Sequence, residues 1–314
     1  MNIKEMQNNA ALVINEVKKA FIGKDDIIIK VLTAILAKGH ILIEDIPGVG
    51  KTTLAIAFSK VMDLSHKRMQ FTPDVLPADI TGFTIYDKNS GEFLYKEGAA
   101  VCNLFLADEI NRASPKTQSA LLEIMEEGQI TVDGVTKKVP VPYTVIATQN
   151  PLGSIGTQQL PESQIDRFMI NLSLGYPDTA SEIAIAKQKN GVGTAVLRKI
   201  IDANQILEMQ NAISKIFVHD AIYQYIVDIV TATRKNPYIQ LGLSPRCTIA
   251  LSMLAKVSAF LHGRDYAVPS DVWDNLFICS EHRLTLSARA KMDNMSKKQI
   301  LRDIASTIKV QKCD

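Results

Sequence analysis

The sequence predicts an α/β domain built on a parallel sheet over residues 1–175, followed by a smaller all-α domain over residues 176–314. Three observations carry that expectation. Short apolar runs of strand type alternate with helical patterns as far as Gly175, which implies parallel strands covered on both faces. A glycine-rich stretch joins one of these runs directly to a helix. Beyond Gly175-Tyr176-Pro177-Asp178 the strand signals nearly vanish, and helical segments separated by short turns take over.

The elements follow in order. Ile3, Met6, Ala10, Val13, Val17 and Ala20 recur at three- and four-residue spacing and predict an amphipathic opening helix. Phe21-Ile22-Gly23-Lys24 breaks it, and a second helix is expected over 28–37. Residues 40–44 read as a buried strand, 52–61 as a helix and 103–107 as another short strand. Ser114 ahead of Pro115 is an N-cap followed by proline at the first helical position, opening a helix to about Glu127. Residues 143–148 form a further strand. Two segments carry hairpin chemistry instead. The first pairs 82–87 with 92–96 around Lys88-Asn89-Ser90-Gly91, and the second pairs 129–132 with 135–139 around an Asp133-Gly134 turn.

A chain of 314 residues suits two domains, and 46% hydrophobic with 22% charged residues excludes a disordered or collagen-like polymer. The net charge is +2, with 17 basic against 20 acidic residues up to Gly175 and 18 against 13 after it. No global field therefore steers the protein toward nucleic acid or an anionic membrane. Cysteines at 102, 247, 279 and 313 form neither a metal-spaced pair nor a disulfide framework, so reduced thiols are expected. The first residues lack the apolar centre of a signal peptide, and no apolar stretch approaches the ~18 residues of a membrane span. A soluble, cytoplasmic protein without a membrane segment is the expectation.

Asp45-Ile46-Pro47-Gly48-Val49-Gly50-Lys51-Thr52-Thr53 lies between the strand at 40–44 and the helix at 52. A loop that leaves a strand and opens a helix aims backbone N–H groups and the positive helix end at one point, a site for phosphate. Gly48 and Gly50 permit the close backbone approach, Lys51 can reach the β- and γ-phosphates, and the Thr52 hydroxyl can ligate Mg²⁺. The general pattern asks for glycine where this chain has Asp45. Leu104-Phe105-Leu106-Ala107-Asp108-Glu109 is an apolar strand ending in two carboxylates, with Asp108 placed for the metal and Glu109 for the attacking water. The strand at 143–148 ends in Gln149-Asn150-Pro151, where the Asn150 amide can hold that water in line.

Together these residues resemble the MoxR family of AAA+ ATPases. Residues 70–82 (Gln70-Phe71-Thr72-Pro73-Asp74 through Asp79-Ile80-Thr81-Gly82) and Asp108-Glu109-Ile110-Asn111-Arg112-Ala113 carry the resemblance most strongly. It implies a P-loop NTPase core with a helical lid, and a homo-oligomeric ring, usually hexameric, with ATP and Mg²⁺ at subunit interfaces. Chaperone-like remodelling of client protein complexes is implied too, often beside a partner with a von Willebrand factor A domain. By position, Phe21-Ile22-Gly23-Lys24 resembles the element against adenine, Asn150 the first sensor, and Arg167, in Leu160–Phe168, the arginine finger. Leu243-Ser244-Pro245-Arg246 resembles the second sensor, with Arg246 on phosphates of its own or a neighbour's nucleotide. The hairpins resemble this branch's insertions, the first within the second helix of the family's ATPase domain and the second just before the first sensor, both expected near the ring's pore.

Two other functions stay open at this point. A nucleic-acid motor or loader is disfavoured by the −3 charge of the first domain and the lack of a basic–aromatic stripe, while the +5 of the second keeps it in play. A nucleotide switch without turnover is disfavoured by the joint presence of Lys51, Asp108, Glu109 and Arg167.

Overall fold

The structure is a computed structural model that describes residues 2–46, 48–150, 160–189 and 196–309. Helix α1 (Ile3–Lys18) is capped by the Asn2 side chain, which accepts from the Glu5 N–H, and buries Met6, Ala10, Val13 and Val17. Helix α2 (Asp25–Leu36) begins three residues earlier than its apolar pattern suggests, because Asp25 and Asp26 occupy the first turn, where acids suit the helix dipole. Then come β1 (Ile41–Glu44), α3 (Lys51–Val61), β2 (His66–Gln70) and α4 (Pro77–Thr81). The first hairpin is β3 (Gly82–Asp87) with β4 (Glu92–Glu97), after which an irregular stretch leads to β5 (Leu104–Asp108). Helix α5 (Pro115–Glu127) starts on the Ser114 cap and stops at Gly128 in the left-handed conformation. The second hairpin, β6 (Gln129–Val132) and β7 (Val135–Lys138), precedes β8 (Thr144–Gln149), α6 (Glu162–Ile165) and β9 (Ile170–Leu172).

Five strands form one parallel sheet in the order β2-β5-β8-β1-β9. Their register aligns Glu44 with Gln149 and Asp108 with Gln70, so four polar side chains end up along one edge, the carboxyl ends of the strands. Alternation within the strands divides the apolar core. Ile41, Ile43, Leu104, Leu106, Ile146 and Ile170 face α1, α2 and α3, while Leu42, Phe105, Ala107, Val145 and Ala147 face the side of α4 and α5.

The remainder is mainly helical: α7 (Thr179–Lys189), α8 (Ala203–Ser214), α9 (Asp220–Lys235), β10 (Ile239–Leu241), α10 (Pro245–Leu261), α11 (Pro269–Ser280), β11 (Thr285–Leu286), α12 (Ala288–Met292) and α13 (Lys297–Thr307). The sequence reading omits β2, β9 and the antiparallel pair β10–β11. The first is an edge strand of His66-Lys67-Arg68-Met69-Gln70 without an apolar run, and the others span only two or three residues. The core on the α1–α3 side runs on into α8–α11 and α13. Backbone and side-chain bonds follow it: Gln210 Nε2 donates to the Ile35 carbonyl at 2.9 Å, and the Ile200 N–H to the Val61 carbonyl at 2.8 Å. No helix among the described residues is long and apolar enough to cross a membrane.

Candidate nucleotide site

The loop between β1 and α3 has the conformation its composition calls for. Gly48 and Gly50 take positive φ angles of 87° and 96°, accessible to glycine at little cost. Pro47 lies outside the described residues. Gly50 is the N-cap of α3, so the first-turn N–H groups and the positive end of the helix dipole converge where Lys51, Thr52 and Thr53 begin the helix. Lys51 Nζ donates to the Asp45 carbonyl at 2.9 Å. Partial burial pushes its pKa down, and the negative charges of Asp108, Asp45 and Glu109 push against that shift.

Asp108 and Glu109 sit at the end of β5, next to β8. Thr148, fully buried on β8, ties them together: its hydroxyl donates to Asp108 Oδ1 at 2.6 Å and accepts from the Glu109 N–H at 2.9 Å. Glu109 holds a left-handed backbone (φ 56°, ψ 49°), uncommon for a residue with a side chain. Each acid also meets an arginine. Arg68 Nη2 lies 2.7 Å from Asp108 Oδ2, and Arg112 Nη1 lies 2.8 Å from Glu109 Oε2. Asn150 follows directly on β8, one residue past Gln149, whose amide donates to Glu44. The donor set around Lys51 is hard oxygen, a threonine hydroxyl and a carboxylate, which fits Mg²⁺ shared with phosphates rather than a metal caged by protein. Among the described residues no group of three or more His, Cys, Asp and Glu side chains is gathered as a metal site.

Next to the loop, in the segment 21–24, Ile22 is half-buried and Gly23 takes φ 80°. A Cβ at Gly23 would run into Ser181 Oγ, and one at Gly50 would lie 3.1 Å from the Phe21 ring. Residues 21–24 are thus held between the glycine loop and the start of α7.

Arg167 and Arg246 stand elsewhere. Arg167 immediately precedes Phe168 and Met169, and the Met169 N–H bonds to the His40 carbonyl, so it lies at the amino ends of β1 and β9. Its Nη2 is 3.0 Å from Glu126 Oε2, and Arg246 binds the other oxygen of that carboxylate. The elements bearing the two arginines are locked together. Asp166 accepts from the Ser244 hydroxyl at 2.9 and 3.0 Å and from Arg283 Nε at 2.9 Å. Buried Arg283 reaches on to the Phe168 carbonyl at 2.7 Å. The sequence singles out neither Glu126, Arg68 nor Arg283: each is one more charged side chain on a helix or edge strand until its partners arrive from 40 to 120 residues away. Cys102, Cys247 and Cys279 are free thiols, and Cys313 lies outside the described residues.

Comparison with known proteins agrees with this layout. The model of the family described as "ATPase family associated with various cellular activities (AAA)" matches residues 40–170, and that of the AAA lid domain matches residues 231–304. The chain is 44% identical to YeaC of Bacillus subtilis, over 95% of this chain and 93% of that protein. It is 38% identical to Chaperone MoxR1 of Mycobacterium tuberculosis, over 93% of this chain and 80% of that one. To Protein MoxR of Methylorubrum extorquens the identity is 29%, over 86% and 85%. A crystal structure of a Cytophaga hutchinsonii protein superposes with a TM-score of 0.93 at 37% identity, covering 99% of this chain and 97% of its own.

Proposed function

The chain belongs to the MoxR family of AAA+ ATPases, and from that premise we propose that it hydrolyses ATP, with Mg²⁺, at interfaces between copies of itself in a cytoplasmic ring, six-membered as the resemblance implies. The family binds nucleotide, and its ATPase core and lid match this chain in sequence and fold. Lys51 and the loop N–H groups hold the phosphates, while Thr52 and Asp108 would hold Mg²⁺, which when bound would supply positive charge opposite the leaving phosphates. Asn150 keeps a water in line, Glu109 takes its proton as it attacks the γ-phosphorus, and ADP and phosphate leave. The work so driven is remodelling of client protein complexes, a reading supported by the relative named as a chaperone, with a von Willebrand factor A protein as a candidate partner.

One observation carries the shared-site reading. The phosphate loop leaves the carboxyl end of β1, whereas Arg167 and Arg246 meet on Glu126 beyond the amino ends of the same strands. Even a four-residue strand separates its ends by roughly 13 Å, so a subunit's own γ-phosphate is out of reach for both arginines. They serve the neighbour's. Turnover per subunit then rises with protein concentration, and Arg167→Ala mixed with Glu109→Gln restores part of the activity each variant lacks alone. Full activity of Arg167→Ala at all concentrations would overturn the shared site.

A further inference from the structure

We propose that Asp45 is a positioning residue for the nucleoside half of the ATP site: its carboxylate pins the base-side wall of the pocket to the phosphate loop. The inference rests on the ATP-site reading above. Asp45 stands where the general phosphate-loop pattern has glycine, yet its side chain is buried, with the residue only 6% exposed. A buried carboxylate is tolerated only when its oxygens are well supplied with donors, and this one is. Oδ2 accepts from the N–H groups of Leu174 and Gly175, the latter at 2.7 Å, with the Ser173 hydroxyl at 3.4 Å. Oδ1 accepts from the Ile46 N–H in its own loop at 2.9 Å.

The segment gripped in this way builds the base side. Tyr176, next along, offers its carbonyl to Lys24 Nζ at 2.8 Å, and Ser181, whose N–H bonds to Asp178 Oδ1 at 2.8 Å, closes over Gly23. Residues 21–24 therefore have the glycine loop on one side and residues 175–181 on the other, and Asp45 sets the spacing between these walls. Apart from the Ile46 N–H on Oδ1, the phosphate half is held by other bonds. The Asp45 N–H donates to the Gln149 carbonyl at 3.2 Å, the Asp45 carbonyl accepts from Lys51, and the Leu54 N–H donates to the Gly50 carbonyl at 3.0 Å. None of these uses the carboxylate. Losing it should loosen recognition of adenosine and leave recognition of the triphosphate largely intact.

The test compares two ligands on the full chain, ATP and inorganic tripolyphosphate, each with Mg²⁺, by calorimetric titration of the native protein, Asp45→Asn and Asp45→Gly. Both variants should lose at least tenfold in ATP affinity while tripolyphosphate stays within threefold, so the advantage conferred by adenosine collapses. Asp45→Asn keeps the side-chain volume and decides the matter if Asp45→Gly does not fold. Equal losses for both ligands, or unchanged ATP affinity, would overturn the inference while leaving the ATP site standing. A native protein that binds neither ligand would overturn the ATP reading and this inference with it.

Discussion

Arg167 and Arg246, 79 positions apart in the chain, grip the two oxygens of one carboxylate, Glu126. The arginines act as a unit, because Asp166 also joins Ser244 and Arg283 directly behind them.

Units of this kind are not additive. Arg167→Ala should lower kcat about 10³-fold, the lower end for an arginine finger, with ATP affinity of the subunit unchanged. Arg246→Ala should lose nearly as much. The double variant, measured by steady-state phosphate release, should fall little below the worse single one rather than at the product of the two losses.

Thr148 bridges Asp108 and the Glu109 backbone. Thr148→Val leaves the Glu109 N–H without its partner, a loss of about 1–3 kcal/mol in stability. Because the same hydroxyl orients Asp108, kcat should drop by more than tenfold while ATP still binds. Glu109→Gln gives the contrasting profile, with stability near native and turnover abolished, and urea titration beside the ATPase assay separates the two.

Arg283 is buried against Asp166, and breaking a buried pair from one side leaves the other charge stranded. Arg283→Ala should cost about 3–5 kcal/mol by chemical denaturation. Arg283→Met combined with Asp166→Asn, which removes both charges, should recover part of that stability but not the ATPase activity, since Arg167 and Ser244 lose their common anchor.

His40 supplies a pH dependence. It is buried and neutral, accepting from the Val145 N–H on Nδ1 at 3.0 Å and donating from Nε2 to the Met125 carbonyl at 2.9 Å. Burial lowers its pKa to about 4. Above its ordinary value of 6.5 neither folded nor unfolded chain carries the proton, so nothing is lost. As pH falls below 6.5 the unfolded chain binds a proton that the folded one refuses, a loss of about 2 kcal/mol by pH 5 that levels off below about 4. His282, held low by burial and by the adjacent Arg283, shifts stability in the same direction. Urea unfolding at pH 7.5 and 5 should therefore show a smaller pH-dependent loss in His40→Gln than in the native chain, though not its disappearance.

Much of the nucleotide loop was legible because its chemistry is local: Gly48, Gly50, Lys51 and Thr52 lie within five residues, and a strand and a helix start announce the context. The carboxyl ends of β5 and β8 were legible for the same reason, as apolar runs that stop in Asp108-Glu109 and Gln149-Asn150. Arg68 was not, since β2 has no apolar rhythm and its strand character comes from pairing with β5. Asp45 stood out in the sequence, but nothing local tells where its carboxylate goes, since three of its four partners lie 128–130 residues further on. Nor does any local signal place Arg246 beside Arg167, because α10 and the β9 approach are brought together by Asp166 and Arg283 across more than 70 residues.

The opposite placement of loop and arginines also gives the proposed assembly a direction. In a head-to-tail pair, one subunit's arginines complete its neighbour's site and one loop is left without arginines. An open row of subunits always leaves an unfinished site at one end, whereas closure finishes every one. Specific activity is thus a gauge of closure itself: short rows work at a fraction of the full rate, and the last subunit to enter contributes two completed sites where each earlier one after the first contributed a single site.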